Sequence, residues 1–492
     1  MTDAPLLLVN PALVPSALAD LPLALRPRLA VVLLAVALSG CAAPGPNYQA
    51  PEPATPAAWR GAPAAAASDT IVLAQWWRLF HDPVLDALVA DALAANPDLA
   101  SAQAKLREAR ARRGLASANL APTVTASGSA SRLEAGNGLD RNSFAAGIDA
   151  SWEIDVFGGG KRELEAAAAD YQVSAENLYG ARVSLVAEVA RNYIVLRTTE
   201  QRLALTESNL AAQQELYRIT GWRHQAGLVS GLDEIQALTE LERTSASMPG
   251  LYTTIDATRN QLSLLLGRAP GELQDRLATP AKIPVADVVG AGIPADTLRQ
   301  RPDVRAAERR LAAQTARLGV AEAARYPSFR LGGSLGLNAA SLASLVSKDA
   351  SSLSILAGIT APIFDAGRIR GTIEVQDALL EQARLSYQAA VLAALQEVEN
   401  ALVNLSNTRA TNAALTRAAA SARSASELAR QSYAAGLADF QTVLGSQRTV
   451  LGLEDQLAAS AGELSATQIQ LYKALGGGWS AVPEPLTAKD GR

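Results

Sequence analysis
Two periods alternate along this chain. From Phe144 to Ile154 every second residue belongs to one apolar row (Phe144, Ala146, Ile148, Ala150, Trp152, Ile154), alternating with Ser143, Ala145, Gly147, Asp149, Ser151, Glu153 and Asp155. Phe329, Leu331, Gly333, Leu335 and Leu337 repeat the alternation, and Leu353, Ile355, Ala357, Ile359, Ala361 and Ile363 form a third row. Val124, Ala126, Gly128 and Ala130 make a weaker fourth. Period two sustained over about ten residues predicts a transmembrane β-barrel strand, apolar toward lipid and polar toward a lumen. A soluble sheet with one apolar face is the alternative. Elsewhere the period lengthens. Val186, Val189, Tyr193, Leu196, Leu203, Leu210 and Tyr217 keep a heptad-like phase, and Val391, Leu395, Val398, Leu402 and Leu405 follow 4-3-4-3 spacing. Such seams pack helix on helix as in coiled coils.

Proline marks where those helices run. None occurs between Pro122 and Pro249 or between Pro362 and Pro483, so Lys161–Ala226 and Arg368–Ala435 read as unbroken helices. At 1.5 Å per residue each is about 100 Å long. Gly227 and Gly436 are stop signals, and a second helix returns from each to end near Gly267 and Gly476. Pro249-Gly250 is expected to kink the first return helix.

The chain is also written twice. Asn96-Pro97-Asp98 recurs as Arg301-Pro302-Asp303 and Ala121-Pro122-Thr123 as Tyr326-Pro327-Ser328, both at an offset of 205. Phe157 matches Phe364 at 207, while Gly227-Leu228 matches Gly436-Leu437 and Leu266-Gly267 matches Leu475-Gly476 at 209. Landmarks that drift so little indicate duplication of one large unit rather than a short solenoid repeat.

Composition narrows the chemistry. Of 492 residues 49% are hydrophobic but only 4% aromatic, and the formal net charge is −4, which excludes a strongly basic nucleic-acid binder. One Cys (Cys41) and two His (His81, His224) leave no disulfide framework and no Cys/His metal cluster within one chain, and no cofactor motif is present. Gly158-Gly159-Gly160-Lys161 lacks the Ser or Thr of a phosphate loop and falls where a strand gives way to a helix, so its glycines serve backbone geometry. Trp76-Trp77 reads as a buried pair.

The amino terminus reads as a targeting segment. Arg26 and Arg28 precede the apolar run Leu29–Leu38, then Ser39, Gly40 and Cys41. That run is a secretory signal in length, about half of a transmembrane helix. Leu38-Ser39-Gly40-Cys41 resembles the bacterial lipobox, in which the Cys receives diacylglycerol and its new amino group is acylated. Ala42, rather than Asp, points to the outer membrane. Met1–Leu25 carries Pro5, Pro11, Pro15 and Pro22 and no basic residue, so translation is expected to start downstream. With an export signal and a lipid anchor, the membrane reading of the four strands is favoured. Four strands do not close a barrel, and an open edge is not tolerated in lipid. Two copies would give eight strands and a filled interior; three give twelve and a lumen.

Longer motifs now carry a resemblance. Gly45-Pro46-Asn47-Tyr48, Trp76-Trp77…Phe80…Asp82-Pro83, Asn96-Pro97-Asp98-Leu99, Trp152…Asp155…Phe157-Gly158, Arg301-Pro302-Asp303, Pro362-Ile363-Phe364-Asp365 and Tyr472-Lys473-Ala474-Leu475-Gly476 follow the pattern of the TolC family. The last resembles its lipoprotein branch, of NodT or OprM type. The resemblance implies a mixed, mainly α fold: per chain a duplicated unit of long coiled-coil-like helices plus four transmembrane β-strands. It further implies a homotrimer with a 12-stranded outer-membrane β-barrel continuous with a 12-helix periplasmic tube. Such a duct is not an enzyme. It works with a periplasmic adaptor and an inner-membrane transporter of the resistance-nodulation-division class, and carries small molecules out by gated passive passage. The expected partition is 1–40 signal peptide, 41–95 lipid-anchored and equatorial segment, 96–279 first repeat, 280–300 connection, 301–479 second repeat and 480–492 tail.

By the same resemblance Cys41 is the lipid attachment site, and Gly227, Leu228, Gly436 and Leu437 form the tip that meets the adaptor. Asp233, Tyr433, Asp439 and Gly445 are the gate candidates. Gly445 stands where the family often has an Asp, and Thr442 and Ala438 stand where some members place Asp and Arg, so this chain has lost charges there. A duct for type I protein secretion and a non-conducting structural lipoprotein are the rival functions.

Overall fold
In the computed structural model the residues described are 44–52, 55–60, 73–134, 136, 141–286 and 294–479. Cys41, the signal segment and the tail 480–492 lie outside them. The fold is mainly helical with one small antiparallel sheet. The helices are α1 (Pro83–Ala95), α2 (Pro97–Ala118), α3 (Gly159–Gln225), α4 (Gly231–Leu265), α5 (Pro294–Gln300), α6 (Pro302–Ala323), α7 (Arg368–Ala434) and α8 (Phe440–Ala474). The strands are β1 (Thr123–Leu133), β2 (Arg141–Ile154), β3 (Ser328–Ala339) and β4 (Ser351–Thr360). The duplication is visible in lengths: α2 and α6 have 22 residues each, α3 and α7 have 67, and α4 and α8 have 35.

Two compact units divide the described chain. The first comprises residues up to Tyr48, Leu115–Ala166 and Thr315–Ala378, and it holds the sheet. Its order is β1-β2-β3-β4, all antiparallel, with β1 and β4 at the two outer edges. Register brings the four apolar rows onto one face. Ile148 lies across from Ala126 on one side and Leu335 on the other, and Leu335 lies across from Leu353. The opposite face aligns Thr125, Asp149, Ser334 and Ser354. A one-residue slip in any pair would mix the two chemistries.

One strand is shorter than its apolar row. The third row continues to Ile363, but β4 ends at Thr360. Pro362 has no N–H to give a ladder, and Asp365 turns the chain into α7 by accepting from the Gly367 and Ile369 N–H groups at 3.0 and 2.8 Å. Leu133, Arg141, Asn142, Ala339 and Ser351 all belong to strands, so the connections between them are confined to 134–140 and 340–350. At the other strand-to-helix junction Asp155 accepts from Gly160 and Lys161 N–H, and Gly158 takes φ +74°. The glycine run there serves geometry. Trp152 donates to the Leu120 carbonyl at 2.9 Å, and Phe157 stacks on Tyr326 at 4.7 Å. These aromatic rings sit at the strand ends, as they do in membrane barrels.

The second unit comprises Gln49–Gly114, Ala167–Gln314 and the chain from Leu379 onward. Its main core gathers Trp76, Tyr193, Leu196, Leu262, Val398 and Tyr472. Trp76 is fully buried, stacks on Tyr472 at 5.4 Å and meets Trp77 edge-on. The heptad residues Val186, Val189, Tyr193 and Leu196 are buried, as are Val391, Val398, Leu402 and Leu405. Helix α4 runs unbroken from Gly231 to Leu265 with Pro249 inside it. Among the described residues no helix is long and apolar enough to cross a membrane.

Candidate functional site
The two helical reversals are built alike. Leu228 N–H donates to the Arg223 carbonyl and Gly227 N–H to that of His224, each at 2.8 Å; Leu437 and Gly436 bond Ser432 and Tyr433 in the same way. This pair of bonds needs a left-handed residue, supplied by Gly227 (φ +72°) and Gly436 (φ +76°). The following leucines project outward, Leu228 at 69% and Leu437 at 83% exposure.

The acids beside the turns are occupied as helix caps. Ser230 caps α4 and receives the Asp233 N–H, while the Asp233 carboxylate accepts from Ser230 N–H at 3.1 Å and its hydroxyl at 2.9 Å. At α8 the partners are exchanged: Asp439 is the cap and accepts the Thr442 N–H at 2.8 Å and hydroxyl at 2.5 Å. The hydroxyl of Thr442 and then its N–H hold the Asp439 carboxyl below its usual range. Negative charge at a helix start also meets the positive end of the helix dipole. The duplication offset of 209 pairs Ser230 with Asp439 and Asp233 with Thr442, a signal that was present in the sequence.

Tyr433 lies in a small apolar cluster with Ala237, Phe440 and Leu444. Its ring meets Phe440 edge-on at 6.0 Å, and the Arg223 guanidinium sits 4.6 Å over it. Its buried hydroxyl has no hydrogen-bond partner among the described residues, so it is not joined to Asp233. Gly445 is exposed on α8, and nothing within 4 Å would obstruct a side chain there. The structure therefore joins Tyr433 to the ends of α3 and α8, and leaves Asp233, Asp439 and Gly445 as separate positions on two helices.

Sequence reading missed the ties between helices. Gln441 bonds Gln236, and Arg448 pairs with Glu240, both joining α8 to α4. Arg202 holds Asp455 through two bonds of 2.6 and 3.0 Å, joining α3 to α8, and Arg423 reaches Glu454 from α7. Arg223, Gln236 and Glu240 lie some 200 residues from their partners, and no local motif marks them. His224 Nδ1 lies 3.2 Å from the Val229 carbonyl within its own turn, and His81 ends a 3-10 turn in a left-handed conformation. Neither belongs to a group of acids or thiols able to hold a metal among the described residues.

The sheet is the other half of the site. Its apolar face is unpartnered: Leu353 is 73% exposed and Ile355 78%, with Val124, Ile148, Leu335 and Ile359 also open. An exposed apolar face of this size on a sheet with two open edges, in a chain whose other elements are helices up to 67 residues long, fits an outer-membrane channel.

Comparison with known proteins names the class. Residues 88–268 and 293–477 match the family described as outer membrane efflux protein, and the chain belongs to that family. It is 30% identical to nodulation protein T of Rhizobium leguminosarum bv. trifolii over 92% of this chain and 98% of that protein. It is 31% identical to the pyoverdine export outer membrane protein OpmQ of Pseudomonas putida, over 92% of this chain and 98% of that one. The solved structure of the outer-membrane channel OprN superposes with a TM-score of 0.84 at 34% identity, covering 89% of this chain and all of that one. The resemblance to the TolC family, in its NodT/OprM branch, holds. The protein resides in the outer membrane, reaches into the periplasm and acts as the exit duct of an efflux system. Its family is one of channels.

Proposed function
We propose that three copies assemble so that their sheets close into a 12-stranded barrel, continuous with a tube of twelve periplasmic helices. The observation that carries this is the sheet itself: one continuous apolar face and unpaired outer edges on β1 and β4, which lipid does not tolerate unless each edge meets another strand. Cys41 is the acylated anchor, and residues 96–279 and 301–479 are the two repeats that build the wall. Leu228 and Leu437 meet a periplasmic adaptor, which couples the duct to an inner-membrane transporter of the resistance-nodulation-division class. The cargo is small molecules, as suits a family that includes a pyoverdine exporter. Native mass spectrometry of the solubilised protein should give three chains with acyl groups on Cys41, and planar bilayers should show discrete conductance. Monomers without conductance would return the structural-lipoprotein reading.

Gating in this reading is a matter of charge at the tip. Carboxylates that face one another in a narrow tube attract cations and favour their passage. Gly445 leaves that level without charge, and its open surroundings admit a larger residue. Gly445→Asp should therefore increase divalent-cation block and cation selectivity while the trimer stays assembled. If Asp439 already supplies the ring, Asp439→Asn lowers selectivity and Gly445→Asp adds little. Unchanged selectivity in both variants would place the constriction elsewhere.

A further inference from the structure
The segment that follows Cys41 is gripped by the two helices that adjoin the sheet. Gly45 takes φ +92°, and a Cβ there would lie 2.7 Å from the Cα of Gly319 on α6. A Cβ on Gly319 would in turn lie 3.0–3.1 Å from side-chain atoms of Arg162 on α3. Backbone, glycine and arginine are stacked so closely that neither glycine position admits a larger residue. The Arg162 side chain is buried. Its Nη2 donates to Asn47 Oδ1 at 2.8 Å and reaches the Gly45 carbonyl at 3.4 Å, while Nη1 pairs with Glu165 at 2.8 Å. Its Nε finds no partner among the described residues, so the guanidinium is held there against a desolvation penalty. Gly45, Asn47, Arg162 and Gly319 all belong to the unit that holds the sheet.

Only one half of the duplication is shaped this way. At the offset of 205 Gly319 answers to Gly114, where nothing lies within 4 Å of a Cβ, and at 207 Arg162 answers to Ile369. A chain has one amino terminus, and one half is equipped to hold it. The grip also lies close to the strands. Arg162 is three residues into α3, which follows β2, and Gly319 is four residues from the end of α6, which precedes β3. At 1.5 Å per residue both are within about 6 Å of those helix ends. Cys41 stands four residues before Gly45, a reach of about 14 Å, which is less than half of a hydrocarbon core of about 30 Å. On the apolar face of the adjoining strand ends Ile154 lies across from Phe329 and Trp152 across from Leu331, and Ile154 and Leu331 are open.

We propose that Gly45 and Asn47, seated on Gly319 and Arg162, form a latch that lays the acyl chains of Cys41 on the apolar face of β2 and β3 of the same chain, against Ile154 and Leu331. Arg162 is the positioning residue, and the occupant of this part of the sheet is the chain's own lipid. The inference rests on the acylation of Cys41 proposed above. The latch matters because of tether length. With Gly45 held, four residues separate the lipid from the fold; with it released, the first buried residue along the segment is Trp59, 18 residues after Cys41. The local concentration of a tethered group falls roughly as the −3/2 power of tether length, so release should dilute the acyl chains at the strand ends about tenfold. An anchor without a latch would meet β1 and β4 as readily as the central pair.

A photoactivatable fatty acid tests it in the full-length protein. Cells fed a diazirine-bearing fatty acid would attach it at Cys41, and illumination followed by peptide mapping should join it to the peptides that contain Ile154 and Leu331. Arg162→Gln and Asn47→Ala should each lower that yield toward the about tenfold loss expected of the longer tether. Inserting about ten Gly/Ser residues between Ala43 and Pro44 leaves every latch contact in place and should still lower the yield about sixfold, by length alone. A part in folding only would make the point variants unstable and leave the insertion without effect, and Asn47 is exposed, so its loss spares the core. An insertion or an Asn47→Ala variant that labels like the wild type, or wild-type label spread evenly over the four strands, would overturn the latch. Wild-type protein with no acyl group on Cys41 would instead overturn the anchor, and the latch's role with it.

Discussion
The two halves of the chain close the same junction with different chemistry. In the first, Asn96 caps α2 by accepting the Leu99 N–H and donates from Nδ2 to the carbonyl of Leu265, the last residue of α4, each bond 2.9 Å. In the second, the equivalent residue is Arg301, which donates to the carbonyl of Ala474, the last residue of α8, at 2.8 Å. Its guanidinium also holds Asp303 at 2.6 Å and Glu397 at 2.7 Å. A neutral amide serves where two helix ends must merely meet. A buried guanidinium serves where a third helix, α7, must be drawn in as well. Duplication preserved the backbone of the junction and left the side chain free to recruit a further partner.

The caps at the turns show the same freedom in miniature, since Ser230 with Asp233 and Asp439 with Thr442 satisfy the same helix start with acceptor and donor exchanged. The helix C-termini show the opposite. Gly227, Gly267, Gly436 and Gly476 all take positive φ, because the bonding pattern there admits little else. What differs among the four is what surrounds them.

That difference sets the largest expected effect. A Cβ on Gly267 would lie 2.4 Å from the Ala95 carbonyl oxygen, whereas nothing lies within 4 Å of one on Gly227. Gly267→Ala should cost about 3–5 kcal/mol and Gly227→Ala only about 1–2 kcal/mol, the cost of the left-handed conformation alone. Thermal melts of the purified protein decide it, and equal losses would mean that the packed end yields. Next in size is the junction. Arg301→Ala should cost about 2–4 kcal/mol, moderated because Asp303 and Glu397 are half exposed, and Asn96→Ala about 1–3 kcal/mol. A reversed order would remove the distinction drawn between the halves.

A third contrast lies at Tyr193, whose counterpart in the second half is the apolar Leu402. The Tyr193 hydroxyl donates to Asp82 at 2.7 Å, and burial, reinforced by that bond to a carboxylate, pushes its pKa up to about 12. A tyrosine titrates near 10 when unfolded, so its stabilising effect is complete below about pH 10 and is lost as pH rises through about 12. The melting temperatures of wild type and Tyr193→Phe should therefore differ most at neutral pH and converge near pH 12. A constant gap would show that the hydroxyl is not the group concerned. The smallest effect is expected from exchanging the caps: Asp439→Ser with Thr442→Asp should leave amide exchange in the first turn of α8 nearly unchanged, whereas Asp439→Ala should quicken it.

Much of the fold was legible because its signals are long. Proline-free windows and heptad phase located α3 and α7 to within two residues at each end, since a helix of that length has no other reading. Alternation located all four strands, and failed only where backbone chemistry overrode side-chain pattern, as at Pro362 beyond β4. The tips were legible in their glycines but not in their contacts. Arg223 over Tyr433 joins residues 210 apart, and neither belongs to a periodic row, so nothing short of the packed helices could have paired them. Asp439 could have been recognised as a cap by setting the two halves side by side.

The unpaired edges of the sheet carry a consequence for inheritance. In the ring of copies proposed above each chain would supply the missing edge for two others, so no chain could be repaired by folding well on its own. A variant with sound edges but a spoiled tip or wall would still be admitted to the ring. When it is made alongside the normal chain, most rings would include at least one defective copy. Such an allele should act dominantly, while one that destroys β1 or β4 should be excluded from assembly and behave as a simple loss.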